Sequence, residues 1–381
     1  MTFRAFRFSV LGLVAALLPA APALAAAVSA VPERTPTFDG VVWATAYDGD
    51  TVYVGGDFTA AVVSGRSIPR ARLAAFDART GALRSWAPSA DGRVRAIAVS
   101  GGSVYVAGEF GRISGVRRDN LARLDAVTGG VRGGLVHSVS GQPYALATGD
   151  GRLYVGGTIS AVDGEARSRL AAFDLRGGAL DLSWRPAADG TVQAVVASGD
   201  RVYVGGKFGT VDGVAGSARL AALHPVSGTV DLSFRPTVAE EVRGLAVGGS
   251  SVYAAHGGQG GRVAAYDSGG GSRWRLTMDG DPQAIAVLDG VVYFGGHFDH
   301  VCRSPQTGAN GTCLEGSIGR VKLGAAATGD GHLLPWTANA NGVEGVHALA
   351  ASGRLDKVAA GGAFTKINGV AQPYFAQFSQ G

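Results

Sequence analysis

Two cysteines, Cys302 and Cys313, are all that the 381 residues contain. So low a count excludes a disulfide-built scaffold and a thiolate-rich metal centre, and no C-x-x-C pair is present. Lysine is scarce. The basic residues are almost all arginine, they are scattered, and the formal net charge is +4. Arg4 and Arg7 contribute to that charge from a segment expected to be removed, so the chain makes no electrostatic case for nucleic acid. Long apolar runs are missing as well: Val10 to Leu18 is the one candidate, and it is short for a bilayer span. No later stretch sustains a helical period. Neither a G-x-S-x-G elbow, an H-E-x-x-H pair, a phosphate-binding loop nor a dinucleotide fingerprint occurs, which removes the motif-bearing hydrolases, metalloproteases and nucleotide enzymes.

What is present starts with an apolar leader. Arg4 and Arg7 precede Val10 to Leu18, and Ala23-Leu24-Ala25 supplies an A-x-A cleavage signal, with Ala25-Ala26-Ala27 as a near alternative. Residues 1–27 are therefore expected to be a secretory signal peptide. Residues 28–381 are expected to form one secreted, extracellular domain with no membrane contact after cleavage. No cysteine follows the apolar run, which argues against a lipoprotein. In an oxidising compartment Cys302 and Cys313 are expected to pair and close a small loop.

Glycine is abundant, 61 of 381 residues, but the hydrophobic fraction of 46% is ample for a core. The glycines mark turns and close backbone approaches. The stretch Val52-Tyr53-Val54-Gly55-Gly56-Asp57-Phe58 occurs seven times with drift, its tyrosine column running through Tyr53, Tyr105, Tyr154, Tyr203, Tyr253 and Tyr293 to Ala359. Most steps are close to 50 residues, a period of propeller blades rather than of β-helix coils. Each repeat reads as four strands. In the first, strand a is Val42 to Tyr47, b is Thr51 to Gly55, c is Arg72 to Asp77 and d lies around Ser85-Trp86. The c motif returns at Asn120, Arg169, Arg219, Arg262, Arg320 and Tyr374, and the d aromatic returns as Trp184, Phe234, Trp274 and Trp336.

The fold expected is all-β: a seven-bladed propeller of four-stranded antiparallel blades. The chain ends on a c strand, and Thr35-Pro36-Thr37-Phe38-Asp39-Gly40 reads like the end of a d strand. Residues about Arg34 to Phe38 are thus expected to complete the last blade and close the ring, which removes open edges.

The YVGGxF, LAxFD and TG elements resemble bacterial delta-60-type β-propeller repeats over nearly all of the mature chain, and more loosely kelch and quinoprotein-like propellers. Asp77 to Trp86 is similar to the D-x-x-T-G…W quinoprotein repeat. However, its Trp falls one residue late and no adjacent cysteine pair exists, so no cofactor is expected. The resemblance implies the fold and says little of activity, because propellers host binding modules, scaffolds and enzymes alike.

Function is sought where the repeats differ. Just before the repeating alanine (or glycine) of strand a stand Trp43, Arg95, Tyr144, Gln193, Arg243, Gln283 and His347. Strand a lines a propeller's axis, so these side chains either ring the channel mouth, where aromatic, arginine and amide groups suit a polar ligand, or pack between blades. The Asp299 to Ser317 loop stands tall beside the short Gly257 to Gly261 turn, a pairing expected to leave a notch. His297, Asp299 and His300 at its base have ligand-type side chains at an unfavourable alternation for a metal. Asp39, Asp91, Asp189, Asp279 and Asn341 either collar a cation or serve turns, and the turn reading is favoured. The expected function is a non-catalytic binding module for a glycan, a cell-envelope polymer or a protein. The alternative is a secreted hydrolase or lyase with acidic or histidine residues at the channel mouth, and a third reading is a docking scaffold.

Overall fold

The computed structural model describes residues 1–2, 26–258 and 260–380. The expected signal peptide lies almost wholly outside them. Among the described residues no helix is long and apolar enough to cross a membrane. The chain is all-β, with a single 3-10 turn at Ala309–Gly311 as the only helical element described.

Each copy of the YVGG stretch forms the middle strand b of an antiparallel sheet. Alternating Val and Tyr side chains suit burial on both faces, and a Gly-bearing turn joins strand b to strand a before it. The first sheet is Val42–Asp48, Thr51–Gly56 and Leu73–Asp77, in the order a-b-c. Six more follow the same order. Their b strands are Ser103–Glu109, Arg152–Gly157, Arg201–Gly206, Ser251–His256, Val291–His297 and Lys357–Gly362. The residue before the third strand, from Arg72 through Asn120, Arg169, Arg219 and Lys322 to Tyr374, takes a left-handed conformation with φ between 63° and 70°. In the sixth sheet this places strand c at Leu323–Ala327, three residues beyond the Arg320 expected to begin it.

The fourth strand departs from expectation. It is regular in the fifth sheet alone, where Ser272–Thr277 pairs with Arg262–Tyr266. Elsewhere it shrinks to single bridges such as Phe76 to Leu83 and Phe173 to Leu180. The cause is local. Asp181 accepts from the backbone N–H groups of Ser183 and Trp184, and Asp231 from that of Ser233. These turns pull the chain out of an extended course. A short outer edge also offers little to another chain's strand.

Between successive sheets lie apolar clusters built on the tyrosine column. Tyr53 packs edge-on against Trp86 at 5.0 Å, and both reach the second sheet: the Tyr53 hydroxyl donates to the Ala126 carbonyl and Trp86 Nε1 to that of Asp125. Glycine permits this closeness. A Cβ on Gly55 would meet Val94 Cγ1 at 2.6 Å, and one on Gly361, in the last sheet, would meet Val42 Cγ1 of the first at 2.4 Å. One cluster, containing Phe38, Val42, Phe76, Ala359 and Phe375, accordingly joins the last sheet to the first.

The N-terminal segment also bridges them, in a register different from the one expected. Residues 29–33, rather than Arg34 to Phe38, run beside the final strand Phe375–Ser379, the Ser29 N–H donating to the Ser379 carbonyl and the Glu33 N–H to that of Gln377. Thr37–Phe38 instead pairs with Ala60–Val63, a hairpin in the first b–c loop. The Glu33 carboxylate is held by Lys357 Nζ at 2.5 Å, the Ser379 hydroxyl at 2.7 Å and the Gln377 amide.

Candidate functional site

A backbone irregularity recurs at one position in all seven sheets. Val42 pairs with Gly56 and Ala44 with Gly55, which leaves Trp43 with no partner. The same skip leaves Arg95, Tyr144, Gln193, Arg243, Gln283 and His347 unpaired. Such β-bulges re-aim a side chain away from the alternation of its strand. Here they aim the side chains at one another: these seven residues line one cavity of about 340 Å³. A second cavity of about 190 Å³ shares Arg243, Gln283 and His347 with it, and Ile97, Leu146, Val195, Leu245, Ile285 and Leu349 of the a strands are among its lining residues. All seven residues singled out in the sequence are thus brought together.

They form a stacked arc. The His347 ring lies on Trp43 at 4.1 Å with 21° between planes, and the Arg95 guanidinium sits 5.1 Å from the centre of Trp43 and 5.5 Å from that of Tyr144. His347, Trp43 and Arg95 come from the seventh, first and second sheets, so the Trp43 indole is packed by side chains of both neighbouring sheets. His347 Nδ1 lies 2.8 Å from Gln283 Oε1, extending the arc to the sixth sheet. Burial holds the His347 imidazole below its ordinary value, while Glu344 at 3.4 Å pulls the other way.

A layer of carboxylates that the sequence reading did not single out stands behind this arc. Trp43 Nε1 donates to Asp57 Oδ2 at 2.8 Å, and Arg93 Nε reaches the same carboxylate at 2.8 Å. Arg95 Nε donates to Glu109 Oε1 at 2.5 Å and Arg243 Nε to Glu241 Oε1 at 2.7 Å. Burial would raise the pKa of Asp57 and Glu241, but the hydrogen bonds and charges of Arg93, Trp43, Arg243 and Lys207 outweigh it and leave both lowered. The signal for this layer was in the sequence. Asp57 follows Trp43, and Glu109 follows Arg95, by 14 residues, the a–b hairpin distance. Gln193 Oε1 is buried without a hydrogen-bond partner.

The remaining candidates resolve differently. Asp39 accepts from the Thr59 and Ala60 N–H groups, Asp91 from Gly111 and Arg112, Asp189 from Gly209 and Thr210, Asp279 from Asp299 and His300, and Asn341 from Thr365 and Lys366. These side chains do not serve their own turns, the reading favoured from sequence, because their acceptors face the next b–c loop about 20 residues on; each latches that loop to the segment before its sheet. His300 pairs with Asp279, and Asp299 with Lys322. Among the described residues no three metal-type side chains converge. Cys302 and Cys313 are joined in a disulfide. Their loop stands beside a cavity of about 330 Å³, lined by Gly260, Arg262, Arg275, Pro305, Gln306 and Thr307, where the notch was expected. It leans onto the fifth sheet, where the Thr277 hydroxyl donates to the Ser304 carbonyl, and a Cβ on Gly260 would strike Thr307 Oγ1 at 2.1 Å.

Comparison with known proteins agrees with this geometry. Residues 102–129 match the family described as "Domain of unknown function (DUF5122) beta-propeller". No curated protein sequence matches the chain. Among solved structures, the WD40 β-propeller domain of Doa1 is similar at a TM-score of 0.62 and 10% identity, covering 92% of this chain and 97% of its own. The WD40 repeats of RRP9 give 0.60 and 13%, covering 93% and 99%. A chain of the Mitotic Checkpoint Complex gives 0.62 and 11%, covering 98% and 99%. At such identities the likeness carries the fold alone, and the fold is a β-propeller.

Proposed function

We propose that the chain is a secreted β-propeller of seven delta-60-type blades, closed into a ring by its N-terminal segment, and that it binds a ligand at the bulge-lined channel mouth. The contacts between the last sheet and the first, and the hydrogen bonds of residues 29–33 along the final strand, support closure. The observation that carries the binding reading is the convergence of Trp43, Arg95, Tyr144, Gln193, Arg243, Gln283 and His347 on one cavity. A space of about 340 Å³ falls at the small end of ligand pockets. It suits one terminal group entering end-on: the end of a glycan or cell-envelope polymer, or a side chain of a protein loop. Because the Trp43 indole is already packed by His347 and Arg95, recognition rests on hydrogen bonds rather than on a ring laid flat upon it. One of the similar chains comes from a multi-protein complex, which supports an interaction role in general terms.

The hydrolase or lyase alternative draws less support. A general acid needs a raised pKa, whereas Asp57 and Glu241 are paired with arginine and lowered.

The test is binding to glycan, envelope-polymer and protein arrays, followed by titration calorimetry of the best ligand. Arg95→Ala should weaken binding by about 10- to 100-fold, the range for a lost hydrogen bond to a charged group. Absence of binding by the native protein, or binding that ignores both Arg95→Ala and Trp43→Ala, would sink the assignment.

A further inference from the structure

Two cleavage signals overlap in the leader, and the fold discriminates between them. Cutting after Ala25 leaves Ala26 as the first residue, whereas cutting after Ala27 leaves Val28. These residues sit differently: Ala26 is exposed, Ala27 half-buried and Val28 only 2% exposed. The Val28 side chain belongs to the cluster between the sixth and seventh sheets, with Val291, Tyr293, Trp336 and Ile367. Its backbone N–H is buried too and donates to the Tyr293 hydroxyl at 2.8 Å. One residue on, the Ser29 N–H enters the ladder with Ser379. An amide therefore fits the Val28 position: one donor meets one acceptor.

A chain beginning at Val28 would place an ammonium there, with three donors, a charge and no carboxylate bonded to it. The hydrophobic side chains packed around Val28 offer an ammonium no anion, and the one charged group acting on Tyr293 is Asp289. Burying an unpaired charge is costly, so the amine would either lose its proton or pull the segment away from the sixth and seventh sheets.

We propose that the processing site is the Ala25–Ala26 bond, so that Ala26-Ala27 remains as a short spacer holding the new charge in solvent and the Val28 amide in the core. This rests on the secretion reading above and moves the expected boundary from residue 27 to residue 25. The step is a hydrolysis by a signal peptidase of the exporting host. Water's hydroxyl adds to the Ala25 carbonyl carbon, the C–N bond breaks, and the nitrogen of Ala26 takes the proton.

Two measurements test it. The full chain is expressed in a secreting bacterial host and the exported protein examined by N-terminal sequencing and intact mass. A start at Ala26 is expected. A start at Val28 or beyond overturns the proposal alone, whereas an uncut, retained precursor overturns the secretion reading and the proposal with it. Independently of export, chains starting at Ala26 or at Val28 are released from a cleavable fusion that leaves no extra residue, and both are melted at pH 6 and pH 9. The Val28 chain should melt at least about 3 °C lower at pH 6 and recover toward pH 9 as its amine deprotonates, while the Ala26 chain shows no such difference. Equal midpoints at both pH values would overturn it.

Discussion

At the scale of one residue, Gly55 illustrates what the repeat demands. Its missing side chain lets Val94 of the next sheet approach to where a Cβ would sit at 2.6 Å. Gly55→Ala should cost about 1–3 kcal/mol in chemical unfolding, as overpacking does, and Val94→Ala in the same chain should return part of it. Gly133→Ala is the control: nothing lies within 4 Å of its Cβ position, and its melting should stay within about 0.5 kcal/mol of the parent. That these seven residues belong together was readable from sequence because a variable column stood inside a constant one. What was not readable is why they point inward. A bulge follows from pairing register, and no residue type at those positions announces it. The carboxylates behind them were also passed over, because Asp57, Glu109, Lys207 and Ala363 share a column that looked merely tolerant.

At the scale of the element, the latch that Asp39, Asp91, Asp189, Asp279 and Asn341 make between the segment before a sheet and that sheet's b–c loop was legible only as composition. Asp-Gly is ordinary turn chemistry, and nothing local reveals that the carboxylate faces amides some 20 residues ahead. Asp279 shows the consequence. Burial raises its pKa, but the His300 and Asp299 donors outweigh burial and lower it. Asp279→Ala should leave the channel mouth intact while amide hydrogen exchange at residues 299 and 300 speeds up by tenfold or more, corresponding to the roughly 1.5–3 kcal/mol of a charged hydrogen bond. The stapled loop makes a second case. Its covalent pairing was foreseeable from two cysteines in one loop, whereas its lean onto the fifth sheet depends on Gly260 being bare. Reducing Cys302–Cys313 should cost about 2–3 kcal/mol and raise exchange first at residues 307–312.

At the scale of the whole molecule, repetition told far more than any single motif. The period, the missing d strand and the leftover N-terminal segment implied that the ends meet; residues 29–33 hydrogen-bond along the final strand, a few residues away from the expected register because Thr37–Phe38 found a partner in the first b–c loop, and closure of the ring stays a proposal. Glu33 is the ionic fastening of that junction. Burial would raise its pKa, but Lys357, Ser379 and Gln377 together lower it below the ordinary 4.5. Its folded pKa is thus depressed relative to the unfolded chain. The stability it contributes is present above about pH 4.5 and is lost as pH falls through the folded value. The difference in melting temperature between the native chain and Glu33→Gln should accordingly be largest near pH 7 and shrink steadily toward pH 3.

The seven bulges carry an implication for change over time. A residue that takes no part in strand pairing can be exchanged without rewriting the ladder beside it, so the floor of the mouth behaves as a keyboard fixed in a rigid case. Seven keys, one per sheet, can be replaced one by one while the tyrosines, glycines and latches that build the case stay as they are. A scaffold of this design lets the side chains around the cavity change quickly while architecture stands still.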